Sequence, residues 1–202
     1  MKNTKPEKIK ALLESTSPKI RIYTFQNLDI LKTFEKADIY YPKKKFMFKD
    51  KMDKEIFSRS YEWMRTQMGK RLVNYSGEFP LWGWIEQPGD KSIQKSYGKN
   101  QVKITALVDR SRVLLSDFEF FHCVLNDYYI TNSYEEEALQ DSGKFIPTQE
   151  QKEERWETIF DLTPPSEEVR EFVWGQPYNG RDIQACIDGL LLSEIESIKV
   201  YD

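Results

Sequence analysis

The stretch Val102–Ile130, VKITALVDRSRVLLSDFEFFHCVLNDYYI, is the densest apolar run of the chain and decides its fold. Its first part repeats an apolar residue at every second position, the period of a half-buried strand, at Val102, Ile104, Ala106 and Val108. A polar turn at 109–112 leads to a second short strand at 113–115. Ser116 then predicts a helix N-cap, with Asp117 as an acid in the first turn, where it suits the helix dipole. We therefore predict a strand–turn–strand–helix unit in the middle of the core.

The helix predicted after Ser116 places its apolar side chains on one face and ends near Asn126. That face consists of Phe118, Phe121, Val124 (or Cys123) and Leu125. His122 and Cys123 are neighbours, so on a helix they point about 100° apart and cannot form a nucleophile–base pair. The chain has no phosphate-binding glycine loop, HExxH motif or paired CxxC motif. The sequence therefore assigns no catalytic residue, and we expect no metal.

Length and composition indicate a folded protein of modest size. At 202 residues and 39% hydrophobic content, the chain is long and apolar enough for one core. We predict a helical appendage at 1–18 and a single α+β domain at 19–202. No run approaches the ~18 apolar residues of a membrane span, and no signal-peptide core is present, so we expect a cytoplasmic protein with no membrane partner. Cys123 and Cys186 fit free thiols in a reducing compartment, with a disulfide as the less favoured alternative.

The charge of the chain is unevenly placed. Residues 1–75 hold 18 Lys and Arg against 9 Asp and Glu, whereas the remaining residues hold 12 against 24. A basic N-terminal part can bind nucleic acid. The alternative is that the two parts of the chain face each other in the fold and partly neutralise. We favour the second interpretation because the net charge is −3, and we expect no nucleic-acid partner.

The segments flanking the central stretch fit the same architecture. Lys54–Val73 has an apolar stripe at helical spacing, which consists of Ile56, Phe57, Tyr61, Met64, Met68 and Leu72. A short helix is also expected at 166–174, with Ser166 as its cap. Four further segments have the pattern of strands: Ile20–Gln26, Pro80–Glu86, Ile183–Ile187 and Ser197–Tyr201. Gly83, between Trp82 and Trp84, leaves the opposite face of its strand without a side chain, which allows close backbone approach. Strands and helices do not alternate regularly. The order therefore predicts an α+β fold with a largely antiparallel sheet.

Polar side chains occur on predicted core strands. Thr24 and Gln26 share the isoleucine-lined face of their strand, and Gln184 lies between Ile183 and Ala185. A buried amide without a partner costs roughly 1–3 kcal/mol, so each of these groups needs one. The partners can be structural. Alternatively, these residues can line a pocket beside Trp82 and Trp84, which share a strand face, where a flat ring would stack.

Several of these segments resemble a known family. The segments at 22–26, 61–71, 80–84, 114–126, 156–161 and 183–185 are similar to a bacterial and phage domain-of-unknown-function family (family 3841). The match runs from about residue 20 to the end, and it implies a shared fold without an established activity. The layout of the chain also resembles the opening of ADP-ribosyltransferase-type folds, which bind NAD in a cleft between two short sheets. That likeness carries over no residue.

These observations support two hypotheses. In the first, the protein has a nucleotide pocket with ADP-ribosyltransferase-like architecture and NAD as the candidate ligand. Thr24 and Gln26 would hydrogen-bond the ligand, and Trp82 or Trp84 would stack on it. Four more residues would complete the site: Gln184 in the pocket, and Ser116, Asp117 and His122 at the rim. In the second, the chain is a phage or defence-associated inhibitor without enzymatic activity. It would bind a protein partner through the acidic section 135–154 or the lysine-rich loop 43–54.

Overall fold

The computed structural model describes residues 5–42, 51–86, 100–163 and 182–201, with side chains from residue 10 onward. Backbone proximity divides the chain into two compact units. The first, here called the helical unit, consists of residues 1–16 and 116–182. The second, the sheet unit, consists of residues 17–115 and 183–202. The predicted division into an appendage and one domain stays a prediction.

The sheet unit is built on six strands in the order β5-β6-β3-β1-β4-β8. The strands of the chain are β1 Lys19–Asn27, β2 Ile39–Tyr40, β3 Leu81–Trp84, β4 Gln101–Asp109, β5 Leu114–Asp117, β6 Ile183–Ile187, β7 Leu190–Leu191 and β8 Ile195–Tyr201. The β1–β3, β1–β4, β3–β6 and β4–β8 pairs are all antiparallel. β2 and β7 form a separate two-stranded antiparallel sheet, which the sequence did not predict. The predicted α+β fold with a largely antiparallel sheet is confirmed.

One face of the β1–β4 pair is the apolar core face. Ile22 lies opposite Ala106, and Ile20 lies opposite Val108. All these side chains are buried, as are Val102 and Ile104 on the same face of β4. Period-two alternation put these residues on one side of each strand, as the sequence indicated.

The long helix of the sheet unit is α3, Lys51–Arg71, and a shorter helix, α2, spans Ile30–Phe34. Met64 and Met68 of α3 are fully buried, and the Tyr61 ring meets the Trp82 ring edge-on at 6.0 Å between centroids. The predicted apolar stripe is therefore confirmed from Tyr61 onward. At Ile56 the prediction is wrong, because that side chain is 47% exposed near the start of the helix. Most of the predicted lysine-rich loop, 43–50, lies outside the described residues.

The helical unit has its own apolar centre. Its helices are α1 Lys5–Glu14, α4 Phe118–Leu125, α5 Tyr134–Asp141 and α6 Gln149–Trp156, followed by a 3-10 turn at Glu157–Phe160. Trp156 is fully buried, and its indole N–H donates to the backbone oxygen of Tyr128 at 2.6 Å. Thr148 and Gln151 form a capping box at the start of α6. The helix expected at 166–174 lies outside the described residues.

The start of α4 corrects one sequence prediction by a single residue. β5 continues through Ser116 to Asp117, so Ser116 is a buried strand residue and not the N-cap. Asp117 is the N-cap instead, and its carboxylate accepts a hydrogen bond from the Phe120 N–H at 2.9 Å. Serine and aspartate cap helices almost equally well, so the extent of the strand decides between them.

No helix in the described part of the chain combines the length and the apolarity needed to cross a bilayer. The structure has both Cys123 and Cys186 as free thiols. Burial raises the pKa of each thiol. Neither is therefore a ready thiolate near neutral pH.

We expect the two neighbouring residues Phe121 and His122 of α4 to differ sharply in their effect on stability. Phe121 is 4% exposed, so Phe121→Ala removes a buried ring and should cost about 3–5 kcal/mol. His122 is exposed, and His122→Ala should shift the melting temperature little. Thermal melts of the two variants check this. If Phe121→Ala melts like the parent and His122→Ala unfolds, the assignment of the buried and exposed faces of this helix is wrong.

Candidate functional site

Strand register brings four polar and aromatic residues into one line across the sheet. Tyr23 lies opposite both Trp84 on β3 and Thr105 on β4, and Trp84 lies opposite Gln184 on β6. Directly opposed residues have Cβ atoms about 4.5–5.5 Å apart and share a face. We call the line Gln184–Trp84–Tyr23–Thr105 the Gln184 row.

Burial changes along the Gln184 row. Gln184 is 4% exposed, whereas the other three side chains are half-buried. The row therefore has its amide at a buried end. The next two residues of the row across the sheet, Trp84 and Tyr23, are aromatic and partly accessible to solvent.

The neighbouring line on the same face is covered by helix α3. It includes Trp82 and its partner Cys186, which is fully buried. Tyr61 of α3 contacts Trp82, and burial raises the pKa of the Tyr61 phenol. Trp82 is therefore part of the packing between α3 and the sheet. Trp84 lies two residues further along β3 and belongs to the Gln184 row.

Thr24 and Gln26 lie on the opposite face of the sheet from the Gln184 row, because side chains alternate along β1. Thr24 is fully buried, and its hydroxyl donates to the backbone oxygen of Trp82 at 2.6 Å. The Gln26 side-chain N–H donates to the Thr24 hydroxyl at 2.8 Å. The two residues thus form a relay that ends on the backbone. The sheet separates them from Trp84 and Gln184.

Gly83 explains why β1 and β3 come close enough for this relay. A Cβ at Gly83 would lie 3.1 Å from the Tyr23 backbone oxygen and 3.7 Å from the Thr24 Cβ. A side chain at this position would require the β1 backbone to shift by a few tenths of an ångström. The close approach expected from a glycine between two tryptophans is confirmed.

Ser116, Asp117 and His122 belong to the helical unit. Ser116 and Asp117 are fully buried, and Asp117 caps α4. His122 is exposed, with Nδ1 3.0 Å from the Phe118 backbone oxygen and its ring edge-on to the Phe118 ring at 4.5 Å. In this arrangement Asp117 orders the start of a helix and His122 packs along its surface.

Sequence reasoning missed a partly buried charge cluster in the sheet unit. The Arg112 guanidinium donates to the Gly189 backbone oxygen at 2.8 Å and contacts the carboxylates of Asp188 and Glu194. Asp188 also accepts from the Ser76 N–H at 2.9 Å, and Glu194 accepts from the Leu191 N–H at 3.0 Å. Burial raises the pKa of Glu194, against the effect of Arg112 and the Leu191 N–H.

Nothing in the sequence links the members of this charge cluster, because they come from three separate segments of the chain. Each carboxylate of the cluster has both a guanidinium and a backbone N–H as partners. The cluster therefore fixes the turn after β6. Across the described ranges, no three His, Cys, Asp or Glu side chains are grouped to hold a metal ion.

A comparison with known protein families gives a match. Residues 21–186 match a family described as a domain of unknown function (DUF3841), and these residues include the whole Gln184 row. The chain therefore belongs to that family. No curated protein and no solved structure matches it.

Replacing Thr24 by valine tests the structural role of the relay. Thr24→Val keeps the shape but removes the donor to the Trp82 oxygen, so we expect a loss of about 1–3 kcal/mol in unfolding free energy. Thr105→Val is the matched control on the other face, and it should change stability by less than about 0.5 kcal/mol. Urea unfolding measures both. Equal stability of the two variants would show that the relay contributes nothing.

Proposed function

We propose that the Gln184 row binds the flat ring of a nucleotide-type ligand, with NAD as the first candidate. The observation that carries the proposal is the register that sets Gln184 opposite Trp84, and Trp84 opposite Tyr23. Aromatic side chains stack on planar rings, and a carboxamide offers a donor and an acceptor to the polar edge of a base. Such a mixture of aromatic walls and a few polar groups is typical of ligand sites.

The burial of Gln184 favours selectivity. A hydrogen bond to a group that is 4% exposed forms in a low-dielectric environment, where leaving it unmade costs more than at the surface. A ligand whose edge matches the carboxamide is then favoured over one without a donor or an acceptor at that position.

NAD is the first ligand to test because of the layout of the chain, which resembles ADP-ribosyltransferase-type folds. The sheet unit contains a six-stranded sheet and a second, two-stranded sheet. No catalytic residue is assigned, and binding alone is proposed. The revised site keeps Trp84 and Gln184 from the sequence hypothesis and adds Tyr23 and Thr105.

Ligand titration with matched variants on the two faces of the sheet tests this proposal. NAD, ADP-ribose and ATP are titrated against the protein by calorimetry and tryptophan fluorescence. Gln184→Met should weaken binding by about tenfold or more, the equivalent of one lost buried hydrogen bond. Gln26→Met makes the same chemical change on the opposite face and should leave Kd unchanged. Tyr23→Leu should weaken binding through the lost stacking.

The proposal fails if no nucleotide binds to protein that is shown to be folded by its thermal melt. It also fails if Gln184→Met and Gln26→Met reduce affinity equally. The loss would then come from the sheet as a whole and not from the Gln184 row.

A second candidate function rests on the surface of the helical unit. Residues 128–154 contain seven Asp and Glu against two Lys. The same segment exposes large apolar side chains, with Ile146 81% and Tyr134 65% exposed. Glu136 is engaged by Arg155 at 2.8 Å, but Glu135 and Glu137 are exposed. An acidic surface with accessible apolar groups suits a basic protein partner that also buries apolar surface.

Neutralising acids at two places tests this second function. Glu135→Gln, Glu137→Gln and Asp141→Asn together should abolish salt-sensitive capture of basic proteins from a host lysate. The control neutralises three exposed acids elsewhere, Glu14, Glu35 and Glu119, and should retain capture. The same set of captured proteins for parent, variant and control would exclude the acidic surface as a binding site.

A further inference from the structure

The last strand of the large sheet presents an edge that the described residues leave without a partner strand. β8, Ile195–Tyr201, stands at the end of the strand order and pairs with β4 only. An edge of this kind carries a row of backbone N–H and C=O groups that can pair with another strand.

Both faces of β8 are accessible along its middle. All five residues from Glu196 to Val200 are exposed. Ile198 and Val200 are 40% and 44% exposed, although their partners Ile104 and Val102 on β4 are fully buried. The apolar layer that covers β4 therefore does not extend over β8, and two branched apolar side chains lie at the edge.

Charged side chains usually protect an edge strand from pairing with another chain. The two charged residues of β8, Glu196 and Lys199, each have a contact with a neighbouring side chain. A register shift between Thr105 and Ala106 opens the β4–β8 ladder near Glu196. Arg21 of β1 donates to both Glu196 carboxylate oxygens, at 2.7 and 2.9 Å, and lowers the pKa of Glu196. The Lys199 ammonium lies 5.2 Å from the centre of the Tyr201 ring. Glu196 is thus held by Arg21 and Lys199 lies beside Tyr201, and Ile198 stands between these two charged residues on the strand.

We propose that β8 pairs with β8 of a second copy of the chain, antiparallel about a two-fold axis at Ile198. Ile198 is the middle residue of the strand, so this axis pairs all seven residues. It sets Ile198 against Ile198 and Lys199 against Ser197. An axis at Lys199 would instead oppose two ammonium groups, which is destabilising. Symmetric pairing of one patch with itself is the commonest way in which soluble chains dimerise.

The pairing joins two sheets edge to edge and shields the apolar side chains of Ile198 and Val200. It uses the end of the sheet and not the Gln184 row. The inference is therefore independent of the proposed ligand.

Cysteine cross-linking reads out the register directly. In a background of Cys123→Ser, with Cys186 fully buried, Ile198→Cys places two thiols opposite each other across the axis. Opposed Cβ atoms lie close enough for a disulfide with little movement. Val200→Cys is the matched control, because the same axis sets residue 200 against Glu196 of the second copy. Mild oxidation should give a covalent dimer with Ile198→Cys and little or none with Val200→Cys.

Sedimentation provides the second measurement. The parent chain should dimerise with rising concentration, and Ile198→Lys should remove the dimer while keeping the thermal melt of the parent. A monomeric parent at all concentrations, together with no cross-link at either position, overturns the proposal. Equal cross-linking at 198 and 200, or faster cross-linking at 200, overturns the register. Failure here leaves the nucleotide titrations unaffected.

Discussion

The large sheet depends on the close approach of β1 and β3 at Gly83. Only Tyr23 and Trp84 form a register pair between these two strands. A Cβ at Gly83 would lie 3.1 Å from the Tyr23 backbone oxygen, closer than an ordinary van der Waals contact, so glycine favours this approach of the two strands. The Thr24 hydroxyl then donates to the Trp82 oxygen across the same contact. This narrow contact joins the three strands β5, β6 and β3 to the three strands β1, β4 and β8.

The same contact creates the Gln184 row. With Tyr23 held opposite Trp84, the β3–β6 register adds Gln184 and the β1–β4 register adds Thr105. Thr24, by contrast, uses its polar group to hold the sheet together on the other face. Polar residues on core strands thus serve two purposes here. One set stabilises the strand contact, and the other supplies the side chains of the proposed ligand site.

Some charged side chains of the protein form ion pairs within the fold, and others remain exposed at its surface. Arg112 and Arg155 each bind carboxylates within their own unit, and Glu136 is engaged in this way. Counting acids along the chain therefore overstates the charge that a partner meets. What remains at the surface of the helical unit is a smaller set of exposed acids beside exposed apolar side chains. This combination, more than net charge, is the basis of the proposed protein-binding surface.

The sequence by itself determined the local elements of the protein. Period-two alternation located β1 and β4, helical spacing located α3, and the glycine between two tryptophans indicated a close strand contact. These signals are local because each depends on neighbouring residues along one strand or helix. Only the tertiary structure decided which strands pair and in which register, and a residue's face is set by that pairing. Thr24 and Gln184 are both polar residues on core strands in the sequence, but the pairing places them on opposite sides of the sheet. The Arg112 cluster depends on the fold for the same reason, because its members are brought together from distant segments.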